Sequence, residues 1–166
     1  MISQKNLAQI FRSLSSPSLV ICPNGPNFPI IEVNDAYLQL KKLTRAQLSG
    51  KDFFDNNQYY NLLESKDSLN QVLIQKKTNK IPPRRYEVGT PGKVKYLEVA
   101  NTPILDENGE VIYIVHSVTD LTEGISTIKR LNDLENLERN ILELNCQNNS
   151  TVEHLLSCYL IVIEGL

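Results

Sequence analysis

The 166 residues suffice for one domain and an appendage. With 41% apolar and 22% charged residues, the chain is an ordinary globular sequence, neither wholly disordered nor a membrane protein. A formal net charge of −2, from 17 basic and 19 acidic residues, gives no cationic field for a phosphate backbone and excludes nucleic acid as the expected partner.

Cys22, Cys146 and Cys158 are scattered without a C-x-x-C pair. That spacing argues against a disulfide framework and a zinc site, and places the chain in a reducing cytoplasm. Met1 to Phe11 lacks the pattern of a secretory signal, and the longest apolar run, Tyr159 to Ile163, is far short of the roughly 20 residues that span a bilayer. No membrane segment is expected.

In chain order, Leu7, Ile10, Phe11 and Leu14 recur at helical spacing and predict an amphipathic helix over 1–16, closed by Pro17. Ser18 to Cys22 and Ile30 to Val33 are β-prone runs around a turn-forming cluster of Pro23, Asn24, Gly25, Pro26 and Pro29, an opening hairpin. Asn34 is placed to cap a helix from Asp35, and Thr44 with Gln47 forms a T-x-x-Q capping box. Leu69, Val72 and Leu73 give a longer helix its apolar stripe, with Lys76 and Lys77 suiting its C-terminal dipole. Pro82 and Pro83 are expected to close the helical region, and Arg85 to Val88 to begin a half-buried strand. Lys95 to Leu105 and Val111 to Val118 flank Asp106-Glu107-Asn108-Gly109, where Asn108-Gly109 supplies the positive φ angles that a tight hairpin turn demands.

From Leu121 the composition turns to Leu, Ile, Glu, Asn and Lys without proline. Ile125, Ile128, Leu131, Leu134, Leu137, Ile141 and Leu144 form a narrow stripe that reads as a coiled-coil seam over 121–147 and predicts a parallel homodimer. Its run of three-residue steps implies local overwinding. Gln147-Asn148-Asn149 is expected to interrupt the helix, and the S-x-x-E box of Ser150 and Glu153 to start a new one over 150–166, at the threshold of a further domain. The apolar surface of that last helix is expected to be covered either by a further domain beyond Leu166 or by a dimer mate.

The most specific residues are Asp120-Leu121-Thr122, followed by Glu123, where a last strand hands over to a helix. Glu32-Val33-Asn34-Asp35-Ala36-Tyr37 and the pair Thr102-Pro103 support them. In this order over about Ala8 to Glu123, the chain resembles the PAS family. The resemblance implies an α+β domain over 17–120, a five-stranded antiparallel sheet with helices across one face. It implies a sensory function relayed through Asp120, Leu121, Thr122 and Glu123 to an output helix. Within the family the chain is most similar to PAS modules of bacterial multidomain sensor histidine kinases, and Asn149 to Leu166 resembles the first helix of a GAF-type domain.

The same resemblance guides the site residues. Heme-binding members carry a histidine in the longer core helix, and Ser65 to Lys77 has none; flavin-dependent light-sensing members carry an Asn-Cys-Arg-Phe-like motif, which is absent. Heme and flavin are therefore disfavoured, no cofactor is predicted, and a colourless small molecule is the expected ligand. Phe53, Phe54, Leu69, Leu73, Tyr86, Val99 and Val115 are candidates to line a pocket between helices and sheet, although core packing accounts for them equally. Strand alternation places His116 on one face with Ile112, Ile114 and Val118, which favours a structural or interstrand role over ligand contact. Cys22 reads as a small buried hydrophobe, and Lys76, Lys77, Lys80, Arg84 and Arg85 as a solvated charge run rather than an anion site.

D-x-x-E spacing predicts that Asp120 accepts from the Glu123 amide while Glu123 reaches back. Two rivals stand beside the sensor reading. One is a ligand-free dimerisation and spacing module; the other is a small enzyme using His116 or His154 as base, which lacks any matched nucleophile, metal set or glycine-rich phosphate loop. No catalytic or metal-binding residue is assigned, and the output domain of the same polypeptide is the other expected partner.

Overall fold

The computed structural model describes residues 3–23, 28–55, 62–87 and 93–164. Its elements are α1 (Gln4–Ser13), β1 (Ser18–Ile21), β2 (Ile30–Val33), α2 (Asp35–Lys41), α3 (Arg45–Leu48), α4 (Leu62–Gln75), β3 (Asn79–Glu87), β4 (Val94–Leu105), β5 (Val111–Asp120) and α5 (Thr122–Glu164). They form two compact units that divide between Thr122 and Glu123.

In the first unit the five strands make one antiparallel sheet in the order β2-β1-β5-β4-β3, the arrangement expected from the resemblance. Strand alternation puts Leu19, Ile21, Leu97, Val99, Ile114 and Val118 on one face, and Tyr37, Leu48, Phe53, Leu69 and Val72 meet them in a single buried cluster. The last strand of the chain order, β5, is the sheet's central strand, between β1 and β4, so the exit of the domain rises from the middle of its sheet.

Local caps set the helix starts. Asn34 Oδ1 accepts from the Tyr37 amide at 2.9 Å at the head of α2, and Gln47 Oε1 accepts from the Thr44 amide at 2.8 Å at the head of α3. The N-terminal helix α1 is capped by Ser3; Phe11 is half-buried, whereas Leu7, Ile10 and Leu14 are exposed in the protomer.

Three boundaries differ from the sequence expectation. Helix α4 stops seven residues before Pro82, because Lys76 turns left-handed (φ 54°) and its amide closes on the Val72 carbonyl. Strand β3 then begins at Asn79 and carries Pro82 and Pro83 between Ile81 and Arg84, where its register with β4 shifts. On an edge strand with a bulge the two missing donors break no required ladder bond. The expected strand residue Val88 lies outside the described residues.

The β4–β5 turn falls between Leu105 and Val111 as expected, but of Asn108 and Gly109 only Gly109 takes positive φ (78°); Asp106 Oδ1 accepts from the Asn108 and Glu110 amides at 2.9 and 2.8 Å. The aspartate replaces the second left-handed residue as the organising device.

The second unit is a single helix. The interruption expected at Gln147-Asn148-Asn149 does not occur, since α5 runs unbroken through Ser150 to Glu164. Asn and Gln lower helix propensity by only tenths of a kcal/mol, and no Gly or Pro stands between Gln147 and Glu153 to break the backbone, so a capping-box pattern inside a helix remains unused.

Candidate functional site

The inner sheet face carries a polar line through the apolar core. His116 on β5 is buried, with Nδ1 2.9 Å from Asn101 Oδ1 on the neighbouring β4. Asn101 Nδ2 donates to Ser68 Oγ of α4 at 2.8 Å, and Ser68 Oγ donates to Asn79 Oδ1, the first residue of β3, at 2.7 Å. Asn101 and Ser68 are also buried. Unpaired polar groups at such positions would each cost about 1–3 kcal/mol, so the four side chains hold one another in place.

Rings surround the histidine. Phe53 and Tyr37 approach it edge-on, with centroids 4.8 and 6.2 Å away, and the half-buried Lys41 lies with Nζ 5.9 Å from the Tyr37 ring centre. Burial first, and then the positive charge of Lys41, push the His116 pKa down to about 3, while burial draws Lys41 down to about 8. The ring is thus neutral at physiological pH.

This placement has a measurable consequence. An unfolded histidine protonates below about 6.5 while the folded one resists, so the unfolded state binds the extra proton and folding is weakened as pH falls. Urea unfolding should therefore lose up to about 1.4 kcal/mol per pH unit between about pH 6 and 4. That loss should disappear in His116→Gln. Carboxylates such as Asp120, Asp106 and Glu32, whose folded pKa values are lowered, add their own loss only at the acid end of this window, because their stabilisation fades as pH falls through the carboxylate range.

Of the expected pocket residues, Phe53, Leu69 and Val99 are buried in the core, and Phe54, Leu73 and Tyr86 are half-buried against it. Val115 is not on this face. It alternates with Ile114 and His116 and pairs with Val20 and Thr102, so it occupies the opposite face of the sheet. Ser68, Asn79, Asn101, Tyr37 and Lys41 were not expected at the site. The period-two spacing of Asn101 with Val99 was the available signal for the strand residue.

The second cluster lies where β5 ends. Asp120 Oδ2 accepts from Lys95 Nζ at 2.6 Å, and Oδ1 accepts from the Thr122 amide at 3.0 Å and from the Thr122 hydroxyl. Thr122 Oγ1 in turn accepts from the Tyr96 amide at 2.9 Å, and the Leu121 amide donates to the Tyr96 carbonyl at 2.8 Å. Asp120 therefore does not form the expected box with Glu123; it engages Thr122, two residues on, because Lys95 and Tyr96 of β4 hold the other sides of both groups. Burial opposes ionisation of Asp120, but the hydrogen bonds from Lys95 and Thr122 outweigh it and lower its pKa.

Four of the five residues of the basic run make ion pairs: Lys76 with Glu110, Lys80 with Glu98, Arg84 with Glu64 and Arg85 with Glu87. Charge neutralised in this way offers little to an anionic ligand. Among the described residues there is no cluster of three or more His, Cys, Asp or Glu suited to a metal ion, and no helix long and apolar enough to cross a membrane.

In the second unit Ile128, Leu131, Leu134, Leu137, Ile141 and Leu144 are each at least half exposed in the single chain, and Ile125 is partly buried. The residues expected to form a seam thus share a helix and stand uncovered in the single chain.

The comparisons follow this geometry. A model of the PAS fold matches residues 5–121. No curated protein matches the sequence. Among solved structures, an RNA-binding light-oxygen-voltage receptor is similar at TM-score 0.59 and 18% identity, over 81% of this chain and 37% of that one. The PAS domain of the fruit-fly ELK potassium channel gives 0.53 and 19%, over 74% and 99% of the respective chains. The PAS domain of Bordetella pertussis BvgS gives 0.51 and 19%, over 80% and 96%. The chain therefore spans little more than a third of the light-oxygen-voltage receptor, and at these identities the likeness is one of fold.

Proposed function

Because this chain belongs to the PAS family, whose model covers residues 5–121, we propose that it is the sensory and dimerisation module of a bacterial signal-transduction protein, a sensor histidine kinase of the cytoplasm. In this reading a colourless small molecule or a protein partner acts on the PAS core, and the change passes through the end of β5 to paired α5 helices and an output domain beyond them.

The observation that carries the reading is the anchorage of the Asp120-Leu121-Thr122 junction. It continues from the central strand β5 and is fastened sideways to β4 through Lys95 and Tyr96. A shift between β4 and β5 therefore changes the hydrogen bonds at the first residue of a 43-residue helix. A ligand drives such a shift only by binding the two arrangements with different affinity.

Flavin adduct chemistry does not fit these residues: none of residues 23–145 is a cysteine, and Cys22 follows β1 rather than lying in α2, α3 or α4. Heme ligation from the long core helix does not fit either, since α4 contains no histidine. We also assign no catalysis to the chain. A base with its pKa pushed down to about 3 and its ring buried in the core is poorly suited to proton abstraction from a substrate, which supports a structural part for His116.

Asp120→Ala tests the relay. In the full-length protein it should leave signal binding intact and uncouple the stimulus from output activity. Unchanged stimulus dependence in a folded Asp120→Ala protein would reduce the junction to an ordinary helix cap, worth about 0.5–2 kcal/mol.

A further inference from the structure

The polar line in the core has an unusual property: it can be satisfied in two directions. As it stands, donors point one way, from the His116 Nδ1 proton to Asn101 Oδ1, from Asn101 Nδ2 to Ser68 Oγ, and from the Ser68 hydroxyl to Asn79 Oδ1. An amide oxygen only accepts, so this direction requires the proton of the neutral imidazole to reside on Nδ1. Turning both amides over reverses every donor. Asn79 then donates to Ser68, Ser68 to Asn101, and the Asn101 amide to a deprotonated Nδ1, which moves the imidazole proton to Nε2. The three links of the line each keep a donor and an acceptor in either arrangement, and the reversed one makes a donor of the buried Nε2. The serine hydroxyl is the one group that both gives and receives along the line, so it is the pivot.

Within the relay reading given above, we propose that Asn79, Ser68 and Asn101 form a two-direction hydrogen-bond relay by which α4 and the start of β3 set the ring state of His116 on β5. The three are positioning residues. They join α4, β3, β4 and β5, and His116 lies four residues before Asp120 on the strand that leads into α5. Intermediate orders leave a buried donor facing a donor or an acceptor facing an acceptor, which makes the line switch as a unit rather than bond by bond. A perturbation at Asn79, which in this line bonds Ser68 and not the ring, thereby reaches the aromatic cluster of Phe53 and Tyr37 around His116.

The test changes the far end and reads the near one. Nitrogen-15 NMR of the histidine rings distinguishes the two tautomers, and His154→Gln removes the only other histidine. In that background the ring should be mainly in the Nδ1–H form. Asn79→Ala deprives Ser68 of its acceptor, so the hydroxyl turns to Asn101, and the ratio of Nε2–H to Nδ1–H should rise by about tenfold or more. In a Ser68→Ala background the same Asn79→Ala change should leave the tautomer ratio where Ser68→Ala alone puts it. Hydrogen exchange of the Leu121 and Thr122 amides should quicken with the tautomer change, beyond that in a Val72→Ala protein of matched global stability. A folded Asn79→Ala protein with an unaltered tautomer ratio, a shift that persists without the Ser68 hydroxyl, or junction exchange no faster than in Val72→Ala would each overturn the relay. These readouts need neither a dimer nor an output domain, so a monomeric protein would overturn the dimer reading while leaving this test decisive.

Discussion

Replacing Asn34 with alanine is expected to destabilise the PAS domain by about 2–4 kcal/mol. Asn34 is fully buried and all four of its side-chain bonds are made. Oδ1 accepts from the Ser18 and Tyr37 amides, each at 2.9 Å, and Nδ2 donates to the Leu14 and Ser16 carbonyls at 3.1 and 2.7 Å. One side chain thus caps α2, starts β1 and holds the α1–β1 link. Alanine forfeits the cap, about 1 kcal/mol, and leaves the buried Ser18 amide without its acceptor, about 1–3 kcal/mol. Asn34→Asp keeps both acceptor roles but turns a buried carboxylate oxygen on the Leu14 and Ser16 carbonyls, so it should cost at least as much as alanine. Urea unfolding at constant m-value measures both, and a loss below about 1 kcal/mol for Asn34→Ala would show that water replaces the network.

Asn34 also shows what the sequence makes legible. Its place before Asp35-Ala36-Tyr37 announced a helix cap, because capping is a local geometry set by neighbours in the chain. Its bonds to Leu14 and Ser16 were not legible, since they depend on the antiparallel return of β2 beside β1. The same division runs through the molecule. The strands with clear alternation, the Asn108-Gly109 turn and the stripe of α5 follow from local pattern. The line His116–Asn101–Ser68–Asn79 brings together residues as far as 48 positions apart, and only strand register and the seat of α4 unite them.

Tertiary context overrides a single local signal at several places. Pro82 and Pro83 pointed to a boundary, but a bulged edge strand accommodates both. Ser150 and Glu153 matched a capping box, but nothing in the preceding Gln147-Asn148-Asn149 forces the helix to stop. Val115 was placed by its apolar character rather than by parity with His116. At the junction, spacing pointed Asp120 toward Glu123, whereas the cross-strand neighbours Lys95 and Tyr96 select Thr122.

Disrupting the α5 stripe should have the largest effect on assembly. In the single chain, Leu134 and Leu137 are 59% and 56% exposed, in a row with Ile128, Leu131, Ile141 and Leu144. A stripe this narrow suits a second helix rather than a globular core, and long helices in water draw most of their stability from such burial. The proposed occupant is the same stripe of a second chain, so each substitution acts twice in the dimer. Leu134→Asn with Leu137→Asn removes four leucine side chains from the paired seam, each worth about 1.5–3 kcal/mol when fully buried. Dimer dissociation should strengthen on the order of a thousandfold or more. Both substitutions lie in the second unit, so the histidine environment and unfolding transition of the PAS domain should persist. Sedimentation equilibrium at tens of micromolar is the measurement, because even a dimer with a dissociation constant of about 1 μM is largely paired there. A native protein that sediments as a monomer would refute the dimer, and a dimer unaffected by the double substitution would move its interface away from α5.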